Sequence, residues 1–412
     1  MSPSTTCRSV RHTPQAATSI STSPGPGAGT WRSTALSGVP GRSSCIARIM
    51  GSLLRLRRAA AKGQVPVLPV AEDDGRTGSK PDDTPPRLRY AGAMTLPPLF
   101  DRLALPVIGS PLFIISNPDL VIAQCKAGIV GAFPALNARP QSQLDEWLHR
   151  ITEELAAWDR DHPDTPAAPF AVNQIVHRSN IRLEEDMATC ARWKVPIVIT
   201  SLGARPEVNE AVHGWGGITL HDVINDRFAR KAIEKGADGI IAVAAGAGGH
   251  AGTLSPFALV QEIRQWFDGP LILSGAIATG RAILAAQAMG ADIAYVGSPF
   301  IATNETNAVA AYKQAIVEGR ADDIVYSNLF TGVHGNYLRA SIVAAGLDPD
   351  NLPEGDVSTM NFASAGAKAW RDIWGSGQGI GAIGRIQPAA DYVAQLKAEY
   401  EAAKAELRAK AG

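Results

Sequence analysis

Residues 237–252 read ADGIIAVAAGAGGHAG, residues 269–280 read GPLILSGAIATG, and residues 291–303 read ADIAYVGSPFIAT. Each segment opens on a short apolar run and breaks into small residues: 240–243 into 244–252, 271–273 into 274–280, and 293–296 into Gly297 and Ser298. Unbroken apolar runs of this length suit parallel strands buried on both faces, which have no solvent side to alternate toward. Between them, residues 255–266 and 279–289 carry apolar side chains at three- and four-residue spacing, as helices do. Strand, small-residue turn and helix in succession predict a βα array whose functional face is the carboxyl end of its strands.

Upstream of this stretch the same rhythm can be traced back to Met94. Residues 105–108 form a first predicted strand leading into Gly109, Ser110 and Pro111; Asn117 or Ser116 then caps a helix with Pro118 in its first turn. Strands two to five are predicted at 129–133, 170–175, 195–200 and 217–223, with helices at 141–158, 183–193 and 226–235. The opening stretch supplies three more strands, so eight are complete by about Glu318. The expected fold is therefore an α/β (β/α)8 TIM barrel over residues 94–318, within the roughly 250 residues such barrels use. Residues 319–412 depart from the rhythm. They read as a cap with a second glycine-rich loop at 374–384, then a closing helix from 388 to about 410.

Composition bounds the function. The formal net charge is zero over 412 residues, which gives the chain no general attraction for nucleic acid or an acidic membrane surface. Small-molecule chemistry is the expectation, with no nucleic-acid or membrane partner. Cys7, Cys45, Cys125 and Cys190 are too scattered for a zinc site or a disulfide framework, and fit a reducing, cytoplasmic setting. No metal site is expected. No apolar run reaches the roughly 18 residues of a membrane span. Residues 1–93 differ in kind: from Met1 to Ala71 there is no Asp or Glu, and Ser, Thr, Pro, Gly and Arg dominate. Such a segment is expected to be disordered. Its composition fits either a start placed too far upstream of Met94 or an organellar transit peptide.

Two turns and one histidine carry the chemistry. Ser274–Gly275–Ala276 and Gly297–Ser298 end adjacent predicted strands, where βα barrels commonly hold a phosphate through backbone N–H groups. Ser298 or Thr279 can add a hydroxyl donor. His250 follows Gly248 and Gly249 in a predicted loop with no apolar face to join. It is either a histidine that fixes its loop or a general base whose ordinary pKa suits work near neutral pH. His213, His221 and His334 are candidates for polar contacts in the site, while His149, His162 and His177 are expected to face solvent. Tyr326, Phe330, His334 and Tyr337 belong to the cap, whose aromatic residues are compatible with a homodimer.

AGAGGHAG, followed by LSGAIATGRAILAAQAMGADIAYVGSPFIAT, resembles the nitronate monooxygenase family, formerly grouped as 2-nitropropane dioxygenases. The likeness runs from about Leu105 to Pro388 and takes in PVIGSPL, the VNQ of the third strand, the two glycine turns, and GQG before IQPAA. It implies an FMN-dependent barrel that oxidises alkyl nitronates or nitroalkanes with O2 to carbonyl compounds and nitrite. By this resemblance Ser110, Pro111 and Leu112 line the flavin ring, Asn173 meets its polar edge, and Gly248 and Gly249 pack beside it. Gly275, Ala276, Gly297 and Ser298 hold the phosphate, and His250 is the catalytic base or substrate anchor.

The chain also departs from the family pattern. Leu112 stands where a methionine is frequent, Ala276 where a second glycine is common, and Ser298–Pro299 in place of Thr–Arg. Pro299 removes an N–H, whereas alanine and serine are mild changes for binding through backbone groups. Asp222 follows His221 where some relatives place a lysine, removing a cation that could stabilise reduced flavin. Two other readings fit the residues: an FMN barrel that reduces enoyl thioesters with NAD(P)H, and a barrel that binds a phosphorylated ligand without turnover.

Overall fold

Strands and helices alternate through residues 96–355 and 372–411, the parts of the chain that the computed structural model describes, all within a unit spanning Thr84–Gly412. The expectations for residues 1–93 lie outside these residues. In order, the elements are β1 (Val107–Gly109), α1 (Pro118–Lys126), β2 (Gly131–Pro134), α2 (Gln143–Asp161), β3 (Phe170–Ile175), α3 (Leu183–Arg192), β4 (Ile197–Ser201) and α4 (Pro206–Gly214). There follow β5 (Ile218–Val223), α5 (Asp226–Glu234), β6 (Gly239–Val243), a two-residue strand β7 (Gly249–His250), α6 (Pro256–Arg264), β8 (Leu271–Ser274), α7 (Gly280–Met289) and β9 (Ile293–Val296). The chain then forms α8 (Ser298–Ile301), α9 (Ala310–Glu318), β10 (Ile324–Ser327), β11 (Gly335–Leu338), α10 (Arg339–Ala344) and α11 (Ala389–Ala411).

Eight strands make one parallel sheet in the order β1-β9-β8-β6-β5-β4-β3-β2. It closes on itself. Ile108 bridges Val130, with the Gly109 N–H donating to the Val130 carbonyl and the Val130 N–H to that of Val107. The predicted TIM barrel is what forms, and its sequence cause is the double-faced burial of every strand. Ile240, Ala242, Leu271, Leu273, Ala294 and Val296 point outward onto helix residues including Leu259, Ile263 and Ile283. Their neighbours Ile241, Val243, Ile272, Ile293 and Tyr295 meet Ile108, Ala171, Ile199 and Leu220 inside. Each fully buried Leu, Ile or Val among them contributes roughly 1.5–3 kcal/mol, and the alanines less.

The strand register carries this alternation one step further. Asn173 is opposite Ile199, Asp222 opposite Ile241, Ser274 opposite both Val243 and Tyr295, and Tyr295 opposite Ile108. Asn173, Ser201, Asp222, Ser274 and Tyr295 therefore form the uppermost interior layer. An aliphatic barrel ends in a polar floor.

Helix starts follow their caps. The Asn117 side chain accepts from the Leu120 N–H, and Asn225 does the same for Phe228. The last helix, α11, packs against α1 and α7 and so stands in the ring of helices around the barrel. It buries Tyr392, Val393, Leu396 and Tyr400. By contrast α9 packs with α8 and the 3-10 turn Gln378–Ala382, in a separate cluster with Ile301, Ile316 and Ile380. Thus the helix that follows β9 in sequence belongs with the cap. The helix beside α1 and α7 comes from the far end of the chain.

Candidate active site

A cavity of about 800 Å³ opens above the polar floor, near the top of the range of small-molecule sites. Every residue that the sequence assigns to the flavin or to proton transfer lines it, whereas Thr279 and His213, offered as additional polar contacts, do not. Ser110, Pro111 and Leu112 come from the loop after β1, Asn173 from β3, and Gly248, Gly249 and His250 from the segment after β6. Gly275 and Ala276 follow β8, and Gly297 and Ser298 follow β9.

The two glycine turns lie side by side because β8 and β9 are paired. Gly275 has φ +145, and a Cβ there would sit 2.8 Å from the Ala245 carbonyl oxygen, so only glycine fits. Ala276 has φ 53, in the left-handed region, and its N–H donates to the Gly246 carbonyl at 3.2 Å. The substitution that looks mild in sequence is therefore strained, and its N–H is already committed. Thr279 accepts from the Ala282 N–H as the cap of α7, whose Gly280 N–H is taken by Glu399 of α11 at 2.8 Å. Neither joins the cavity wall. Ser298 Oγ accepts from the Gly377 N–H at 2.8 Å, which leaves its own hydrogen to donate. Gly377 belongs to the late glycine-rich loop, where the Gln378 N–H also donates to Gly246. That loop and the segment after β6 meet backbone to backbone.

His250 is not in a free loop. It pairs with Gly335 at the edge of a three-stranded antiparallel sheet made of β10, β11 and β7, so the cap holds it over the cavity. Its Nε2 lies 3.1 Å from Thr331 Oγ1, and that hydroxyl donates to the Val333 carbonyl. The imidazole must then be the donor to Thr331, which places the acceptor lone pair on Nδ1. Burial pushes the pKa of His250 down to about 4. The near-neutral value expected from the residue type is lost to desolvation.

On the floor, Asn173 Nδ2 donates to the Ile199 carbonyl and to Ser201 Oγ, at 3.1 and 2.8 Å. The amide thus turns its oxygen to the cavity as an acceptor. Ser201 Oγ donates to Asp222 Oδ2 at 2.5 Å. The Asp222 Oδ1 and the Tyr295 hydroxyl are buried with no hydrogen-bond partner. Burial raises the Asp222 carboxyl to about 6, against the lowering effect of the Ser201 hydrogen bond. His221 lines the cavity too, with Nδ1 2.6 Å from Thr200 Oγ1; burial, with Lys235 nearby, lowers it to about 4.

Other predicted histidines divide differently from expectation. His177 lines the cavity rather than facing solvent, and His334 lines it stacked on Tyr326 with ring centroids 5.0 Å apart. His213 pairs with Asp238 at 2.9 Å and takes no part. Ser201 and Tyr295 escaped the sequence reading because a serine or tyrosine at the end of an apolar run carries no signal of its own. Only closure of the barrel brings them to Asp222. Among the described residues no cluster of His, Cys, Asp or Glu is arranged to hold a metal ion.

The site fits a flavin on three observations. The adjacent turns at Gly275 and Gly297 present backbone to the cavity, Asn173 offers an oxygen acceptor, and Pro111 and Leu112 give an apolar wall. Lys231 is the only Lys or Arg among the described cavity-lining residues, so a phosphate would rest on backbone and hydroxyl donors.

Comparison with known proteins points to one family. The family model described as nitronate monooxygenase matches residues 100–399. The nitronate monooxygenase of Paraburkholderia phytofirmans is 27% identical over 364 residues, covering 74% of this chain and 94% of the relative. That of Neurospora crassa is 25% identical, over 71% of this chain and 88% of its own. Among solved structures, a nitroalkane oxidase from Streptomyces ansochromogenes superposes with a TM-score of 0.62, at 24% identity and over 76% of this chain and all 100% of its own, and shares the fold. With three quarters of its length matched by that one family model, this chain belongs to the nitronate monooxygenase family of oxidoreductases.

Proposed function

We propose that the protein binds FMN and uses it to oxidise alkyl nitronates with O2, yielding a carbonyl compound and nitrite. The observation that carries this reading is a single cavity walled by paired glycine turns, an apolar β1 loop and a neutral imidazole held over it by the cap. Family membership and the curated relatives named for that activity support it. When bound, the flavin supplies the electron-accepting chemistry. The chain's own work is to hold and orient. Gly275, Gly297 and Ser298 take the phosphate, Pro111 and Leu112 pack the ring, and the Asn173 oxygen meets its polar edge. Gly248 and Gly249 let the His250 strand approach closely. With Nε2 held by Thr331, the neutral imidazole of His250 is the side chain that serves proton transfer over the cavity. The buried thiols Cys125 and Cys190 accord with a reducing, cytoplasmic setting.

The test is an absorption spectrum of the purified protein, then anaerobic addition of propionate 3-nitronate and, separately, NADPH. Yellow protein bleached by the nitronate and not by NADPH is expected. Rapid bleaching by NADPH alone would instead make it an enoyl-thioester-type reductase, and colourless protein with no affinity for FMN would end both readings.

A further inference from the structure

We propose that Asp222 makes capture of an anionic substrate proton-linked: the cavity floor admits an anion only together with one proton, which the Asp222 carboxyl holds. The inference deepens the function proposed above and rests on an anion being the substrate.

The geometry comes first. Asp222 lines the cavity from the top of β5 and is the only carboxyl among the described lining residues. Its orientation is fixed by a one-way chain in which Asn173 donates to Ser201 and Ser201 donates to Asp222 Oδ2. Both amide hydrogens of Asn173 are spent, so nothing in the chain can turn round to donate to an anion. Asp222 Oδ1 has no hydrogen-bond partner, and among the described residues no Lys or Arg pairs with Asp222. The titratable groups around the cavity besides Asp222 are Tyr295 across the floor, His221 on the same strand but bonded to Thr200, His177 after β3, His250, Tyr326 and His334 on the cap, Tyr312 on α9 and Lys231 exposed on α5.

A carboxylate and a substrate anion on this floor would be two negative charges stripped of water, with the cavity's one Lys or Arg among the described lining residues, Lys231, exposed on α5 and unpaired with Asp222. Protonation removes the conflict and converts Asp222 from an acceptor into an O–H donor. Burial already raises this carboxyl to about 6, so the proton is held at little cost in mildly acid solution. Above that value each pH unit should lower the apparent affinity for an anion about tenfold, the slope of one linked proton.

Nitrite is a suitable probe because it stays anionic over the range and cannot be oxidised like a nitronate. Its binding to the flavin-loaded protein would be followed from about pH 5 to 8.5 by the visible flavin band. Proton uptake would be measured from calorimetric heats in two buffers of different ionisation enthalpy. We expect a tenfold fall in affinity per pH unit on the alkaline limb and one proton taken up per nitrite. Asp222→Asn should bind nitrite with no pH dependence, Asp222→Glu should keep the slope, and Asp222→Lys should bind tightly throughout. A flat wild-type profile, no proton uptake, or an unchanged slope in Asp222→Asn would each overturn the proposal. The wild-type measurement decides even if the variants fold poorly. If nitronates are not oxidised but the nitrite slope holds, the proposed reaction fails and the proton linkage stands.

Discussion

His250 shows how far an isolated residue type can mislead. Its place among glycines at the end of a strand marks it as available for chemistry, but its basicity depends on how much water the cap excludes. With its pKa down at about 4, the imidazole is neutral throughout the physiological range and gives no rate-limiting ionisation near pH 7. We expect His250→Asn to purify with its flavin yet lose about 10²–10⁴-fold in turnover of neutral nitroalkanes, the usual span for a proton-transfer residue. Steady-state oxygen uptake on nitroethane, beside the flavin spectrum, checks both halves; unchanged uptake would remove the assigned role. Ala276 offers a second case. An L-residue at φ 53 costs on the order of 1–2 kcal/mol, partly balanced by the greater entropy that glycine brings to the unfolded chain. Ala276→Gly should therefore raise the stability of flavin-free protein by up to about 1 kcal/mol in urea unfolding, with its N–H still on Gly246.

Among the elements, α11 matters beyond its surface-like composition. It stands beside α7 and α1, and Glu399 caps the N-terminus of α7. The contact is so close that a Cβ on Gly280 would lie 2.2 Å from both the Leu396 carbonyl oxygen and the Tyr400 nitrogen. Gly280→Ala should force the two helices apart and cost about 1–3 kcal/mol or more, the range for overpacking. A lower melting temperature with an unchanged ratio of nitronate to nitroalkane turnover is the expected result. A change in that ratio would mean that α7 reaches the site. The small sheet of β10, β11 and β7 does reach it: the Asn336 side-chain amide donates to the Ala247 carbonyl at 2.6 Å, and the backbone carbonyl of the same residue accepts from the Ser376 N–H. One residue ties together the cap hairpin, the histidine segment and the late glycine-rich loop.

For the whole molecule, buried titratable groups set the response to acid. His221 and His250 have folded pKa values lowered to about 4 from the ordinary 6.5. Between those values the unfolded chain binds protons that the native state refuses, so their contribution to stability is full above about pH 6.5 and is lost as pH falls toward 4. Asp222, raised to about 6 from 3.8, has the opposite sign: the native state binds its proton first, so it favours folding as pH falls through 6. The melting temperature of flavin-free protein should decline from pH 7 to 4.5, more steeply in Asp222→Asn and less in a His221→Asn, His250→Asn double variant. Calorimetric scans at several pH values test the order; a D222N slope no steeper than wild type would contradict it.

What the sequence alone determined is the barrel, its functional face and the residues that gather there, because these follow from local signals. Apolar runs buried on both sides, small residues at strand ends and Asn or Pro at helix starts report their own surroundings. Tertiary structure alone decided that the helix beside α1 and α7 comes from the chain's far end and that His250 sits in a strand under the cap. It also decided that Ala276 is strained and that Asn173, Ser201, Asp222 and Tyr295 share one floor. Each of these depends on contact between segments tens to hundreds of residues apart. Burial, and with it the charge a side chain can carry, belongs to the assembled molecule and not to any stretch of sequence.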